Sequence, residues 1–97
     1  MRKVDISIVN VVATCSLPFR VDLEDLACRF PEYVKLNVKY PKYRCAYIKI
    51  EGMKGKVIVF NSGKMICTGA RSIEDAENDL MIAYRFIIES LKLGRLQ

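Results

Sequence analysis

Lys56-Val57-Ile58-Val59-Phe60-Asn61-Ser62-Gly63-Lys64-Met65-Ile66-Cys67-Thr68-Gly69-Ala70-Arg71 is the stretch from which the fold can be read. Two short strands flank a tight Asn61-Ser62-Gly63 turn. Side chains alternate between the faces of a strand. Lys56, Ile58, Phe60, Lys64, Ile66 and Thr68 therefore share one face, and Val57, Val59, Met65 and Cys67 the other. Both sets are largely apolar, whereas an antiparallel hairpin ordinarily keeps one face wet. The sheet is thus either covered on both sides or meets a partner with its second face.

Working outward, Ser72 is placed to cap a final helix, with Asp75 three residues on. Ala76, Leu80, Ala83 or Tyr84, Ile87 and Leu91 recur at helical spacing, widened by Met81 and Ile88. They predict a broad apolar stripe on a helix of about twenty residues, closed by Gly94. On the other side of the hairpin, residues 43–51 (YRCAYIKIE) read as a strand, and Gly52 to Gly55 as a loop with an exposed Met53. Residues 33–40 (YVKLNVKY) form another alternating strand. Asp22 caps a short helix whose Leu23, Leu26, Ala27 and Phe30 make one buried stripe, and Pro31 ends it. Residues 4–14 (VDISIVNVVAT), rich in β-branched side chains, predict a long first strand that Leu17-Pro18 breaks. The order is β-α-β-β-β-β-α, an α+β domain spanning residues 1–97, with a five-stranded antiparallel sheet and both helices on one face. The uncovered face carries Ile58, Phe60, Ile66 and Thr68 among Lys49, Lys56 and Lys64, and such a surface is expected to bind something.

The 97 residues suit one modest core, and 52% hydrophobic content with 28% charge describes a folded globular chain rather than a disordered one. No apolar run is long enough to span a bilayer, and the basic start lacks the apolar stretch of a signal peptide. The net charge of +5 favours anionic partners. Cys15, Cys28, Cys45 and Cys67 form no C-x-x-C pair, and the chain contains no histidine. A zinc site and a histidine-dependent triad are therefore not expected, nor is any cofactor. Scattered thiols in apolar surroundings point to a reduced, cytoplasmic setting. Asn61-Ser62-Gly63-Lys64 is not a phosphate loop, because the first glycine is missing and a strand follows instead of a helix. No set of residues is arranged for catalysis, so the chain is not expected to be an enzyme. An apolar sheet face ringed by lysines does suit a DNA minor groove: aromatic side chains wedge between base steps, Lys and Arg neutralise phosphates, and Asn10 can meet the acceptors of A·T pairs.

Ile8 to Thr14, Asp22 to Ala27, Glu32-Tyr33, and above all the run Phe60-Asn61-Ser62-Gly63-Lys64 through Thr68-Gly69-Ala70-Arg71-Ser72 resemble one repeat of the TATA-box-binding protein family, archaeal type. The resemblance covers nearly the whole chain. It implies half of a saddle whose curved, concave sheet bends DNA at the minor groove. The family's two aromatic wedges fall on Tyr43 and Phe60, and its central minor-groove asparagine on Asn10. Apolar groove contacts fall on Val12, Ile58 and Ile66, the groove-facing threonine on Thr68, and basic phosphate contacts on Lys49, Lys64 and Arg71. The partners implied are double-stranded DNA with an A·T-rich minor groove, a second copy of the chain in a homodimer, and basal transcription proteins. The implied role lies in transcription initiation or its regulation. The alternative is a protein-interaction or substrate-docking module of the same fold without independent TATA recognition.

Overall fold

The central hairpin forms as its alternation requires. The structure, a computed structural model, describes residues 11–37 and 44–95, with side chains as far as Lys92. Its elements are β1 (Val11–Ser16), α1 (Leu23–Arg29), β2 (Val34–Leu36), β3 (Cys45–Ile48), β4 (Lys56–Phe60), β5 (Lys64–Ala70) and α2 (Ile73–Arg95). The strands make one antiparallel sheet in the order β1-β5-β4-β3-β2. The expected α+β fold and element order hold. The strand expected at residues 4–10, and the expected strand residues 38–40 and 43, lie outside the described residues.

Val57 and Val59 of β4, Met65 and Cys67 of β5, Ala46 and Ile48 of β3 and Val34 of β2 are buried in a single cluster. Leu23 and Leu26 of α1, and Ala76, Ala83 and Ile87 of α2, enter the same cluster, so both helices cover one face. They also touch each other: the Phe30 and Phe86 rings lie 4.3 Å apart, and Tyr33 meets Phe86 edge-on. Asp22 caps α1 by accepting the Asp25 N–H at 3.0 Å, and Ser72 Oγ accepts the Asp75 N–H at 3.0 Å at the start of α2. Both caps satisfy backbone donors that the first turn of a helix leaves open.

The β4–β5 turn closes with Gly63 N–H donating to the Phe60 carbonyl, and Gly63 sits at φ +100°. A hairpin loop of this length needs a left-handed residue at that position. Any side chain there would also collide, since a Cβ would lie 2.3 Å from the Phe19 carbonyl oxygen. The segment after β1 runs along this turn, with Leu17 N–H donating to Gly63 and Val21 N–H to Asn61.

Three expectations are corrected. Met53 is buried, not exposed: its loop folds back under the sheet, and its sulfur accepts the Ile50 N–H at 3.3 Å. α2 does not stop at Gly94 but continues to Arg95. The buried stripe of α2 is also rotated from the one expected. It runs through Ala76, Asp79, Ala83, Ile87 and Ser90, whereas Met81, Tyr84 and Leu91 are exposed.

Asp79 explains the rotation. Its Oδ2 accepts the Gly55 N–H at 2.7 Å and its Oδ1 the Lys54 N–H at 2.9 Å, tying the β3–β4 loop to the helix. The Cys67 thiol lies 3.5 Å from the same carboxylate. Burial, followed by this contact, pushes the Cys67 thiol up to about 11.

Candidate nucleic-acid interface

The sheet registers assemble the open face row by row. Thr14 pairs with Ile66, Ile66 with Ile58, Ile58 with Tyr47, and Tyr47 with Lys35, so one line of side chains crosses all five strands. Directly opposed residues of an antiparallel pair share a face. Phe60 stands beside this line on β4, opposite Cys45, and Thr68 stands on its other side, opposite Lys56. Ile58, Phe60, Ile66, Thr68 and Tyr47 are all half-buried, in contrast to their fully buried neighbours of opposite parity. That is the exposure of a flat surface that no helix covers.

β1 contributes at the edge. A register shift between Val11 and Ala13 marks a bulge, and Val12 emerges 64% exposed. Around the apolar centre, Lys35, Lys56, Lys64 and Arg71 are exposed. The Lys56 ammonium lies 5.1 Å from the centre of the Tyr47 ring, close enough for a cation–π contact.

Lys49 has a more particular place. Its ammonium donates to the carbonyl oxygens of Gly55, at 2.6 Å, and Met53, at 3.1 Å. The loop is therefore gripped from two directions, with its N–H groups on Asp79 and its C=O groups on Lys49. Any contact that Lys49 makes with a phosphate is made from this fixed position.

Of the residues singled out from sequence, Val12, Ile58, Phe60, Ile66 and Thr68 share the open face, with Lys64 and Arg71 at its margin. Asn10 and Tyr43 lie outside the described residues. Tyr47, Thr14 and Lys35 were not singled out, yet they complete the central row. Strand parity already carried the signal for Tyr47, two residues from Cys45 on the same face. Among the described residues no group of acidic, histidine or cysteine side chains is placed to hold a metal ion, and no helix is long and apolar enough to cross a membrane.

Comparison with known proteins agrees with this geometry. Residues 5–90 match the family profile described as "Transcription factor TFIID (or TATA-binding protein, TBP)". The TATA-box-binding protein of Cenarchaeum symbiosum is 46% identical over 91 residues, which is 90% of this chain and 47% of that protein. That of Methanothermobacter thermautotrophicus is 35% identical over 82 residues, 84% of this chain and 44% of that protein. The solved structure titled "Methanococcus jannaschii TBP" superposes with a TM-score of 0.73 at 30% identity, covering 88% of this chain and 47% of that one. The chain thus spans about half the length of the relatives it matches, the extent of a single repeat. It belongs to the TATA-binding protein family.

Proposed function

We propose that this chain binds double-stranded DNA in the minor groove through the open face of its sheet, as a homodimer, in transcription initiation or its regulation. The observation that carries the reading is the in-register row from Thr14 to Lys35, with Phe60 and Thr68 beside it. The row is apolar at its centre and ends in Lys35, with Lys56, Lys64 and Arg71 exposed around it. It lies on the sheet face opposite both helices, in a chain whose relatives are named for binding the TATA box. Apolar side chains rest against sugars and the groove floor, Phe60 wedges between base steps, and Lys64 and Arg71 neutralise phosphates. Asn10 and Tyr43 are proposed to complete the base contacts, the first as a hydrogen-bond donor and the second as the outer wedge.

The homodimer reading rests on length and topology. β1 is an edge strand, with β5 its one neighbour in the described sheet. A second copy meeting this edge by strand pairing doubles the sheet, in keeping with relatives about twice as long. Basal transcription proteins are the proposed protein partners.

A mobility-shift titration at low salt with A·T-rich and G·C-rich duplexes tests DNA binding. The A·T-rich duplex should bind more tightly, because the guanine amino group changes the floor of the minor groove. Phe60→Ala should retain the fold and weaken binding about tenfold or more, the cost of losing one base-step contact. Failure of the wild-type chain to shift either duplex refutes the proposal.

A further inference from the structure

α2 presents a second apolar surface, bordering the core at Leu80, that the DNA face does not use. Ile73, Met81, Tyr84 and Leu91 are 69%, 49%, 39% and 40% exposed, and Leu80 is half-buried. At 3.6 residues per turn these five fall in one band about 100° wide, next to the buried stripe. Between this band and the edge strand β1 lies an open groove lined by Cys15, Glu77, Leu80, Met81 and Tyr84. Apolar patches of this kind on a folded surface mark a contact.

The charges along the band identify its occupant. Glu74 and Glu77 lie in the N-terminal half, and Arg85 and Lys92 in the C-terminal half. We infer that a second copy of this chain docks here, its α2 running antiparallel to the first about a two-fold axis at the level of Ile82. That axis sets Ile73 against Leu91 of the second copy and Leu80 against its Tyr84. Two residues to either side of that register, within reach of long side chains, Glu77 neighbours Arg85 of the second copy and Glu74 its Lys92. The same pairs form twice, as an isologous contact demands. A parallel arrangement sets Glu77 on Glu77 and Arg85 on Arg85, which is repulsive. The inference rests on the homodimer reading and adds to the β1 edge a helix-to-helix contact on the far side of the sheet from the DNA.

Sedimentation equilibrium of the 97-residue chain without DNA tests it. The wild type should show twice the chain mass. Met81→Glu and Tyr84→Glu, both at exposed helix positions, should give monomers with unchanged helical circular dichroism. Glu77→Arg and Arg85→Glu should each weaken association about tenfold or more, and the double exchange should restore it. A wild-type dimer that all four variants leave intact overturns the α2 contact while leaving a dimer through β1. A wild-type monomer at high concentration overturns both.

Discussion

Asp79→Ala removes both acceptors of the loop between β3 and β4, and its cost follows from the geometry. The Gly55 N–H is buried and donates to a carboxylate at 2.7 Å; the Lys54 N–H, at 2.9 Å, is only partly buried. A buried donor left unpaired costs about 1–3 kcal/mol, with charge-assisted bonds at the upper end. The buried Gly55 N–H takes the larger share, while Lys54 is exposed, so water limits its loss. Relief of the buried carboxylate's own desolvation offsets part of the sum. The net expectation is a loss of about 2–4 kcal/mol, a large fraction of the roughly 5–15 kcal/mol that stabilises a domain of this size. The melting temperature should fall by roughly 10–30 °C. Urea unfolding followed by circular dichroism measures the change, and an unchanged slope would attribute it to the native state. Asp79→Asn keeps one acceptor oxygen but turns an amide donor toward a backbone N–H, so it should recover less than half of the loss. Amide exchange at Gly55 should accelerate in both variants. Asp79→Ala within about 0.5 kcal/mol of wild type, the range of an ordinary surface change, would refute the reasoning.

Four further outcomes are expected. Gly63→Ala should destabilise by about 3 kcal/mol or more, combining the left-handed penalty with the clash at Phe19; Gly52→Ala, also at positive φ but with only the Ile82 Cδ1 at 4.0 Å, should cost about 1–2 kcal/mol. In the native protein iodoacetamide should label exposed Cys28 and spare buried Cys45 and Cys67, read by mass spectrometry. With the Cys67 thiol raised to about 11, the unfolded chain releases its proton first as pH climbs past 9, so stability should hold below pH 9 and decline toward pH 11, less steeply in Cys67→Ala. Lys49→Met should cost about 1–2 kcal/mol by freeing the Met53 and Gly55 carbonyls, whereas Lys64→Ala should leave stability unchanged and flatten the salt dependence of DNA binding.

Alternation and capping make most of this fold legible in the sequence. Val57, Val59, Met65 and Cys67 are buried and Ile58, Phe60, Ile66 and Thr68 half-exposed because strand parity leaves a hairpin no other choice once one face is covered. Asp22 and Ser72 were readable as caps because the chemistry of a helix start is local. What escaped depended on contacts across long stretches of chain. Asp79 sits in Glu77-Asn78-Asp79, which reads as a solvated helix face, and only the arrival of the 52–55 loop, whose N–H groups it accepts, makes a carboxylate worth burying there. Met53 was misjudged for the same reason, since a loop in isolation gives no sign of what it folds against. Once Asp79 turned inward, Tyr84 and Leu91 turned outward, and an apolar stripe that looked like core became surface. Tyr47 lies within the strand read at residues 43–51 but was not singled out, because its place in the central row depends on the register of three neighbouring strands.

The row from Thr14 to Lys35 also works as a ruler. Adjacent strands lie about 4.8 Å apart, so its four intervals measure about 19 Å across the sheet. B-form DNA rises about 3.4 Å per base pair, and a duplex laid along the row is therefore covered for five to six steps by one copy. In the proposed dimer of two copies joined at their β1 edges, nine intervals span about 43 Å and cover about twelve to thirteen steps, a little more than one helical turn. Their two-fold axis gives them the same set of side chains in reverse order, so the duplex best suited to both halves reads alike on its two strands.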